Sequence, residues 1–303
     1  MKKIIARIGE GLGNQLFMYA HSYSLAKKNK FILEIDNESS YFKKKDTHSY
    51  LLNNFNITHN ITSNENKFNS HTLNLKRKFL IFLDMFNKKK KFLIEKKFNN
   101  KSTKYITTDI NKYKKKIFVE GHFECENYFS EFKNDLKNEF SLKNENTFKK
   151  NKYYDFIIKN KKNIISVCVR QNRFSERINN KNEISSINKS NLFVKETVDY
   201  IYRSISFLEN KIKNPIYLVW SNDFSNLRNY FPSEKFTFIE NENDKIISDF
   251  FLLSNCQNFI VSPTTFNWWP AWLNYESQNY ILRPKNLNIS SNENFWPSYW
   301  ISI

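Results

Sequence analysis

Three short stretches of this 303-residue chain carry residue types at spacings suited to holding an anion. In Arg170-Gln171-Asn172-Arg173-Phe174-Ser175-Glu176-Arg177, three of the chain's eight arginines fall together; the others are Arg7, Arg77, Arg203, Arg228 and Arg283. Lysine supplies nearly all the remaining positive charge, so clustered arginine is informative. Only the planar guanidinium fork grips phosphate or carboxylate through two parallel bonds. A surface ion-pair network is the competing reading. In the second stretch, Gly9, Gly11 and Gly13, three of four glycines, stand together before an apolar segment. Glycine there admits φ > 0 and lets a ligand approach the backbone. A following helix presents free N–H groups and a positive dipole end. The spacing is neither the dinucleotide fingerprint nor a P-loop, and a tight structural turn is equally open. The third stretch is Ser262-Pro263-Thr264-Thr265-Phe266-Asn267-Trp268-Trp269, where hydroxyls stand at a helix start, either as a cap or as an anion site. Trp268, Trp269 and Trp272 read as packing behind it.

The elements that must position these residues read as strands alternating with helices. Ile4–Ile8 is predicted as a strand, Leu16–Lys30 as a helix and Phe31–Ile35 as a second strand, a β-turn-α-β opening. Residues 41–115 are dense in lysine and asparagine and give no clear pattern. Lys116–Gly121 reads as a strand, and the polar stretch Ser141–Lys152 as a boundary. Beyond it follow a strand at Asn163–Val169, a helix at Asn191–Leu208 with Val194, Val198, Ile201, Ile205 and Leu208 on one face, and strands at Ile216–Trp220, Phe236–Ile239 and Phe259–Ser262. Helices are expected at Ile247–Asn255 and Thr265–Tyr275. The expected architecture is α/β, with domains at 1–150 and 151–303 and the last helix packing back on the first; a cleft between two such domains is the default ligand site.

Composition bounds the rest. Hydrophobic residues at 40% allow sizeable cores and exclude global disorder. The formal net charge is +18; AT-rich codon usage on solvated faces is one source, and a surface attracting phosphate, anionic lipid or nucleic acid is another. Three separated cysteines signal neither a disulfide framework nor a zinc knuckle and fit a reducing cytoplasm. Met1–Arg7 does not read as a signal peptide, and no apolar run is long enough to span a bilayer.

Together the motifs resemble the bacterial α-1,2-fucosyltransferases of glycosyltransferase family 11. Gly9-Glu10-Gly11-Leu12-Gly13-Asn14-Gln15-Leu16-Phe17 is similar to that family's opening "GGLGNQLF", and Gly121–Phe129 to its "GYWQSEKYF". Trp220-Ser221-Asn222-Asp223 resembles "FSDD", and Asp249–Leu273 resembles "D…LMS.C…IISNSSFSWWAAWL". The arginine stretch departs from "HxRRxDY": Arg170 is kept, while Cys168, Gln171 and Arg173 replace the histidine, second arginine and aspartate.

The resemblance implies a GT-B fold, two Rossmann-like domains facing a cleft, with an N-terminal acceptor side and a C-terminal donor side. It implies inverting transfer of L-fucose from GDP-fucose to the 2-hydroxyl of a terminal galactose, without cofactor or obligatory metal. The expected acceptor is a surface oligosaccharide of O-antigen or lipopolysaccharide type. On this reading Arg170 meets the charge growing on the β-phosphate, helped by Thr264, Thr265 and the helix start they cap. Gly11, Gly13 and Asn14 close over the pyrophosphate or fucose. Asp249 takes the guanine N1/N2 edge, Phe266 packs near the nucleotide, and Glu176 is the first choice for general base, with Glu124 and Glu126 as rivals. A cytoplasmic enzyme, peripheral at the inner membrane near lipid-linked acceptors, is expected, with no nucleic acid. The alternatives are transfer of another GDP-sugar, or a basic nucleic-acid or membrane-surface binder motivated by Lys88–Lys91 and Lys114–Lys116.

Overall fold

The structure, a computed structural model, describes residues 1–43, 48–97, 102–176, 183–241, 245–288, 290 and 292–303; Arg177 lies outside them. The chain forms two compact units, Met1–Lys143 with Ser290–Pro297, and Asn144–Ile289 with Ser298–Ile303. The chain crosses from one to the other inside the polar stretch that composition marks as a boundary.

In the first unit the order is β1 (Lys3–Arg7), α1 (Leu12–Asn29), β2 (Ile32–Asp36), β3 (Asn60–Ile61), α2 (His71–Asp84), β4 (Lys90–Ile94), β5 (Tyr113–Glu120) and α3 (Lys133–Glu139). The strands form a parallel sheet in the order β3-β2-β1-β5-β4. Helix α1 starts at Leu12, earlier than its apolar spacing suggests. Every residue from Gln15 to Ala26 is buried, and a helix buried on all sides has no stripe to mark its ends. The unpatterned 41–115 stretch supplies β3, α2, β4 and the first residues of β5.

The second unit runs α4 (Glu145–Phe148), α5 (Tyr154–Lys159), β6 (Ile164–Val169), α6 (Ile184–Glu209), β7 (Ile216–Ser221), β8 (Phe236–Phe238), α7 (Lys245–Leu253), β9 (Asn258–Ile260), α8 (Thr265–Leu273), β10 (Ile281–Arg283) and β11 (Ile301–Ser302). Its parallel sheet has the order β11-β10-β9-β6-β7-β8. The expected face of α6 is the buried one: Val194, Val198, Ile201, Ile205 and Leu208 share a core with Ile165, Val167 and Val169 of β6 and with Tyr217 and Val219 of β7. Side chains alternate along a strand, so Cys168 points to the opposite face of the sheet.

No helix follows Leu273 among the described residues. The C-terminal segment that belongs with the first unit, Ser290–Pro297, is therefore not the helix expected there; it carries turns and a bridge from Asn292 to Thr103.

In both sheets the chain crosses once from one flank of its first strand to the other. From β1 it builds outward through β2 and β3, then crosses to lay β4 at the far edge and β5 against the other flank of β1. From β6 it builds through β7 and β8, then places β9 on the other flank. Such reversals leave a crevice beyond the carboxyl ends of the two diverging strands, the preferred ligand position in open α/β sheets.

Candidate functional site

The motifs fall at these two reversals. In the second unit the arginine stretch leaves the carboxyl end of β6 and Ser262–Thr265 leaves that of β9, with Val167 and Ile260 in register. The two loops therefore start from neighbouring strands. In the first unit the glycine loop leaves β1 and Gly121–Phe129 leaves β5, with Ala6 and Val119 in register.

In the second unit Arg170 is two-thirds covered, and burial lowers its pKa against the pull of Glu176. Its Nη2 donates to Glu176 Oε2, and Arg173 Nη1 lies 3.4 Å from Glu176 Oε1. Both carboxylate oxygens are thus engaged by guanidinium groups. Glu176, expected as a general base, is the counter-ion of the arginines in this structure.

The three departures in the arginine stretch have physical accounts. Gln171 is buried and staples this loop to the one after β7. Its N–H donates to Asn222 Oδ1 at 2.9 Å, and its Nε2 donates to the carbonyls of Asp223 at 2.8 Å and Ser225 at 2.6 Å. Asn222 Nδ2 returns a bond to the Gln171 carbonyl, and Asn172, at φ 57°, donates to Asp223 Oδ2 at 2.8 Å. The Ser221-Asn222-Asp223 motif therefore acts as the brace of the arginine loop, a role sequence reasoning did not assign. Cys168 is fully buried within β6 and its thiol is pushed well up by desolvation, so it is an inert filler. Arg173 is the second donor on Glu176.

At the other loop Thr264 is the N-cap of α8, its Oγ1 accepting from the Asn267 N–H at 3.4 Å. The corner is held by Asn267 Nδ2 donating to the fully buried Ser262 Oγ at 2.8 Å. Thr265 is half-buried, and its hydroxyl has no partner among the described residues. The first-turn N–H groups of a helix have no intrahelical acceptor, so the corner presents donors beside the arginine loop. Behind it Trp268, Trp269 and Trp272 are at most 1% exposed and pack edge-on and stacked, with ring centroids 5.0–5.6 Å apart.

Asp249, on α7, is buried. Desolvation pushes its carboxyl up to about 6, against a 2.6 Å hydrogen bond from Asn241 Nδ2 and the charge of Lys245. Its neighbour Phe250 meets Phe266 edge-on at 6.1 Å, so Asp249 and Phe266 share one corner of the unit.

In the first unit the glycine loop differs from expectation. The left-handed residue is Glu10, at φ 62°, and not a glycine. Gly9 is required by close approach, since a Cβ there would stand 2.5 Å from Ser40 Cβ. Gly11 is the N-cap of α1 at φ −74°, with no side-chain cap and, among the described residues, nothing within 4 Å of a Cβ position. Its small size leaves the helix start open. Gly13 is buried in the first turn. Asn14 is half-buried, and its Oδ1 is buried with no hydrogen-bond partner among the described residues. The residue that sequence reasoning passed over is Gln15. It is fully buried, donating to the carbonyls of Glu10 and Ser49 at 2.8 Å each and accepting from the Leu51 N–H at 2.9 Å. Its only signal was its place after Asn14 in the motif. Against the α1 face, Phe123 (φ 52°) stacks on His21 at 3.6 Å, and burial lowers the His21 pKa to about 3, a neutral packing imidazole. Glu124, a rival base, is buried and accepts from Ser290 Oγ. Glu126 is half-buried at the start of a short 3₁₀ turn.

No group of three or more His, Cys, Asp or Glu side chains poised for a metal occurs among the described residues.

The family model described as Glycosyl transferase family 11 matches residues 3–303. An Escherichia coli protein named Alpha-1,2-colitosyltransferase is 25% identical over 294 residues, 91% of this chain and 89% of its own. The Escherichia coli O-antigen biosynthesis glycosyltransferase WbnK is 26% identical over 304 residues, 97% of this chain and 98% of its own. Among solved structures, fucosyltransferase NodZ from Bradyrhizobium superposes with a TM-score of 0.51 at 13% identity, covering 89% of this chain and 92% of that one. Arabidopsis thaliana FUT1, a variant in complex with GDP, superposes with a TM-score of 0.50 at 12% identity, covering 92% of this chain and 71% of that one. The two parallel sheets with their flanking helices are of GT-B type.

Proposed function

This chain belongs to glycosyltransferase family 11, and on that premise we propose that it moves L-fucose from GDP-fucose to the 2-hydroxyl of a terminal galactose, with inversion at C1. The observation that carries the reading is the placement of Arg170 and of the Thr264–Thr265 helix start on the two strands of one sheet reversal. The relatives' names supply an O-antigen context, and the GDP complex of the plant neighbour supports a guanine nucleotide donor.

As the C1–O bond lengthens, the ring gains oxocarbenium character and the β-phosphate gains negative charge. Donors already aimed at that charge accelerate the step most. Arg170 is assigned this role, assisted by the Thr265 hydroxyl and the first-turn N–H groups of α8. Thr264 contributes by holding the helix start. The diphosphate competes with Glu176 for the Arg170 guanidinium, and Arg173 keeps Glu176 in place when Arg170 turns to the phosphate. Glu176 is therefore assigned to positioning Arg170 rather than to proton abstraction. Asp249 is assigned to the guanine N1–H and N2–H donors, with Phe266 beside the nucleotide. In the first unit, Gly11, Gly13 and Asn14 are assigned to sugar or phosphate oxygens, the unpartnered Asn14 amide oxygen taking a hydroxyl.

A second reading is favoured by the name of one relative: the transferred sugar is colitose, a fucose lacking the 3-hydroxyl. A site that hydrogen-bonds that hydroxyl rejects the analogue lacking it. The test is incubation with GDP-fucose and with GDP-colitose over a panel of β-galactosides, with and without EDTA, the linkage being assigned by NMR. Transfer from GDP-fucose to the galactose 2-hydroxyl is expected. Transfer from GDP-colitose alone selects the second reading, and no transfer from any GDP-sugar overturns both. In the same assay Arg170→Ala is expected to lower turnover at least about 100-fold.

A further inference from the structure

Helix α2 is apolar on two opposite faces. Leu73, Leu80 and Ile81 pack inward against a core of Ile5, Phe68, Phe92 and Phe118, and Arg77 anchors the same side by a paired bond to Glu120. The outer face holds Leu75, Phe79, Phe82 and Leu83 at helical spacing, continued by Phe86 just past the end. These are 69%, 58%, 54%, 42% and 76% exposed, and Met85 beside them is 69% exposed. A solvated helix normally turns polar residues outward, and contiguous exposed apolar surface marks an interaction site. Lys76 and Lys78 flank the stripe on either side, exposed, and Lys88 and Lys89 extend the basic edge past the helix end. Between His71 and Lys97 the chain has nine basic residues and two acidic ones. Of those two, Asp84 is turned inward, capping the N–H groups of Lys91 and Phe92 at 2.6 and 2.9 Å. Burial, then the charges of Lys116, Lys114 and Lys76, depresses the pKa of Lys91.

We propose that the outer face of α2 is a membrane-docking element that lies in the headgroup layer of an anionic bilayer, its phenylalanines below the phosphates and its lysines among them. An aromatic stripe edged by lysine is the pattern of an interfacial helix. At 14 residues α2 lies on a bilayer rather than across it, and no helix among the described residues is long and apolar enough to cross one. A second copy of the chain is the disfavoured occupant, because pairing this face with itself sets the same lysines against one another. The inference goes beyond the proposed transfer and does not depend on which sugar moves.

The test uses the full chain and co-sedimentation with phosphatidylglycerol–phosphatidylethanolamine vesicles, against neutral phosphatidylcholine vesicles, at low and high salt. Binding to the anionic vesicles that weakens with salt is expected. The double variant Phe79→Ser/Phe82→Ser is expected to lower partitioning at least about tenfold. Lys76→Glu/Lys78→Glu is expected to lower it about 25-fold or more, about fivefold per lysine lost. Far-UV spectra and melting temperatures matching the parent show that the variants fold, since neither pair touches the inner face. Three results overturn the proposal: no sedimentation of the parent with anionic vesicles, equal binding to neutral ones, or self-association by sedimentation velocity that the phenylalanine variant abolishes while the parent ignores lipid.

Discussion

Asp249→Asn separates the energetic cost of a buried carboxylate from its use. The carboxyl titrates near 3.8 in the unfolded chain and at about 6 in the fold, chiefly because burial disfavours its charge. An acid whose pKa rises on folding binds its proton more tightly in the native state, so its ionisation destabilises the fold. The cost is absent below the unfolded value, grows between about pH 4 and 6, and is complete above. Integrating the two titrations makes it about 3 kcal/mol at pH 7.5 and about half that at pH 5. Asparagine keeps the oxygen that accepts from Asn241 and removes the charge. Urea denaturation is therefore expected to show Asp249→Asn more stable than the parent by about 2–3 kcal/mol at pH 7.5, with the gain roughly halved at pH 5. Isothermal titration is expected to show the opposite for GDP: the variant binds weakly at every pH, and the parent loses affinity as pH falls through 6. A variant no more stable than the parent at pH 7.5, or a gain that ignores pH, refutes the desolvation argument. GDP binding equal to the parent's refutes the guanine assignment while leaving that argument intact.

Arg170→Lys is expected to lose at least about 100-fold in turnover, because an ammonium cannot replace the guanidinium fork; near-parental kcat removes Arg170 from the diphosphate. Glu176→Gln is expected to shift the KM for the donor while leaving the shape of the pH–rate profile unchanged, and loss of the acidic limb restores Glu176 as a base. The glycines at the two loops are expected to separate: Gly11→Ala folds with parental melting temperature, having open space at φ −74°, and loses activity, whereas Gly121→Ala is destabilised by several kcal/mol. At Gly121, φ is 154° and a Cβ would stand 2.3 Å from Glu95 Cβ. Calorimetry with paired turnover assays checks both, and a stable Gly121→Ala contradicts the packing. EDTA is expected to leave turnover unchanged, and restoration by Mg²⁺ or Mn²⁺ after its loss points to a metal.

Most strands and the later helices were legible because each carries its own local signal. β6 is a continuous apolar run, α6 an apolar stripe at helical spacing, and α8 a Thr-capped apolar segment. β10, β11 and α2 were not legible. The two strands are too short to show alternation. The apolar residues of α2 lie on two opposite faces and so form no single stripe. Of the candidate site, the loops were legible as glycine, arginine and hydroxyl clusters, since those residue types are chosen for what a backbone or a guanidinium does locally.

The sequence by itself determined the order of those strands and helices that carry a local signal and the residues at the carboxyl ends of β1, β5, β6 and β9, for which local propensity, periodicity and residue chemistry are sufficient; the resemblance of its motifs identified the family. Tertiary structure alone decided which strands lie side by side, and hence that four separated motifs converge as pairs at two sheet reversals. It decided that Glu176 belongs to Arg170, that Gln171 and Asn222 lock the arginine loop, and that Glu10 rather than a glycine takes the left-handed turn. It also decided that one apolar face of α2 is left exposed by the rest of the fold. Each of these depends on contacts between residues far apart in the chain, whose pairing is set by packing of the whole sheet.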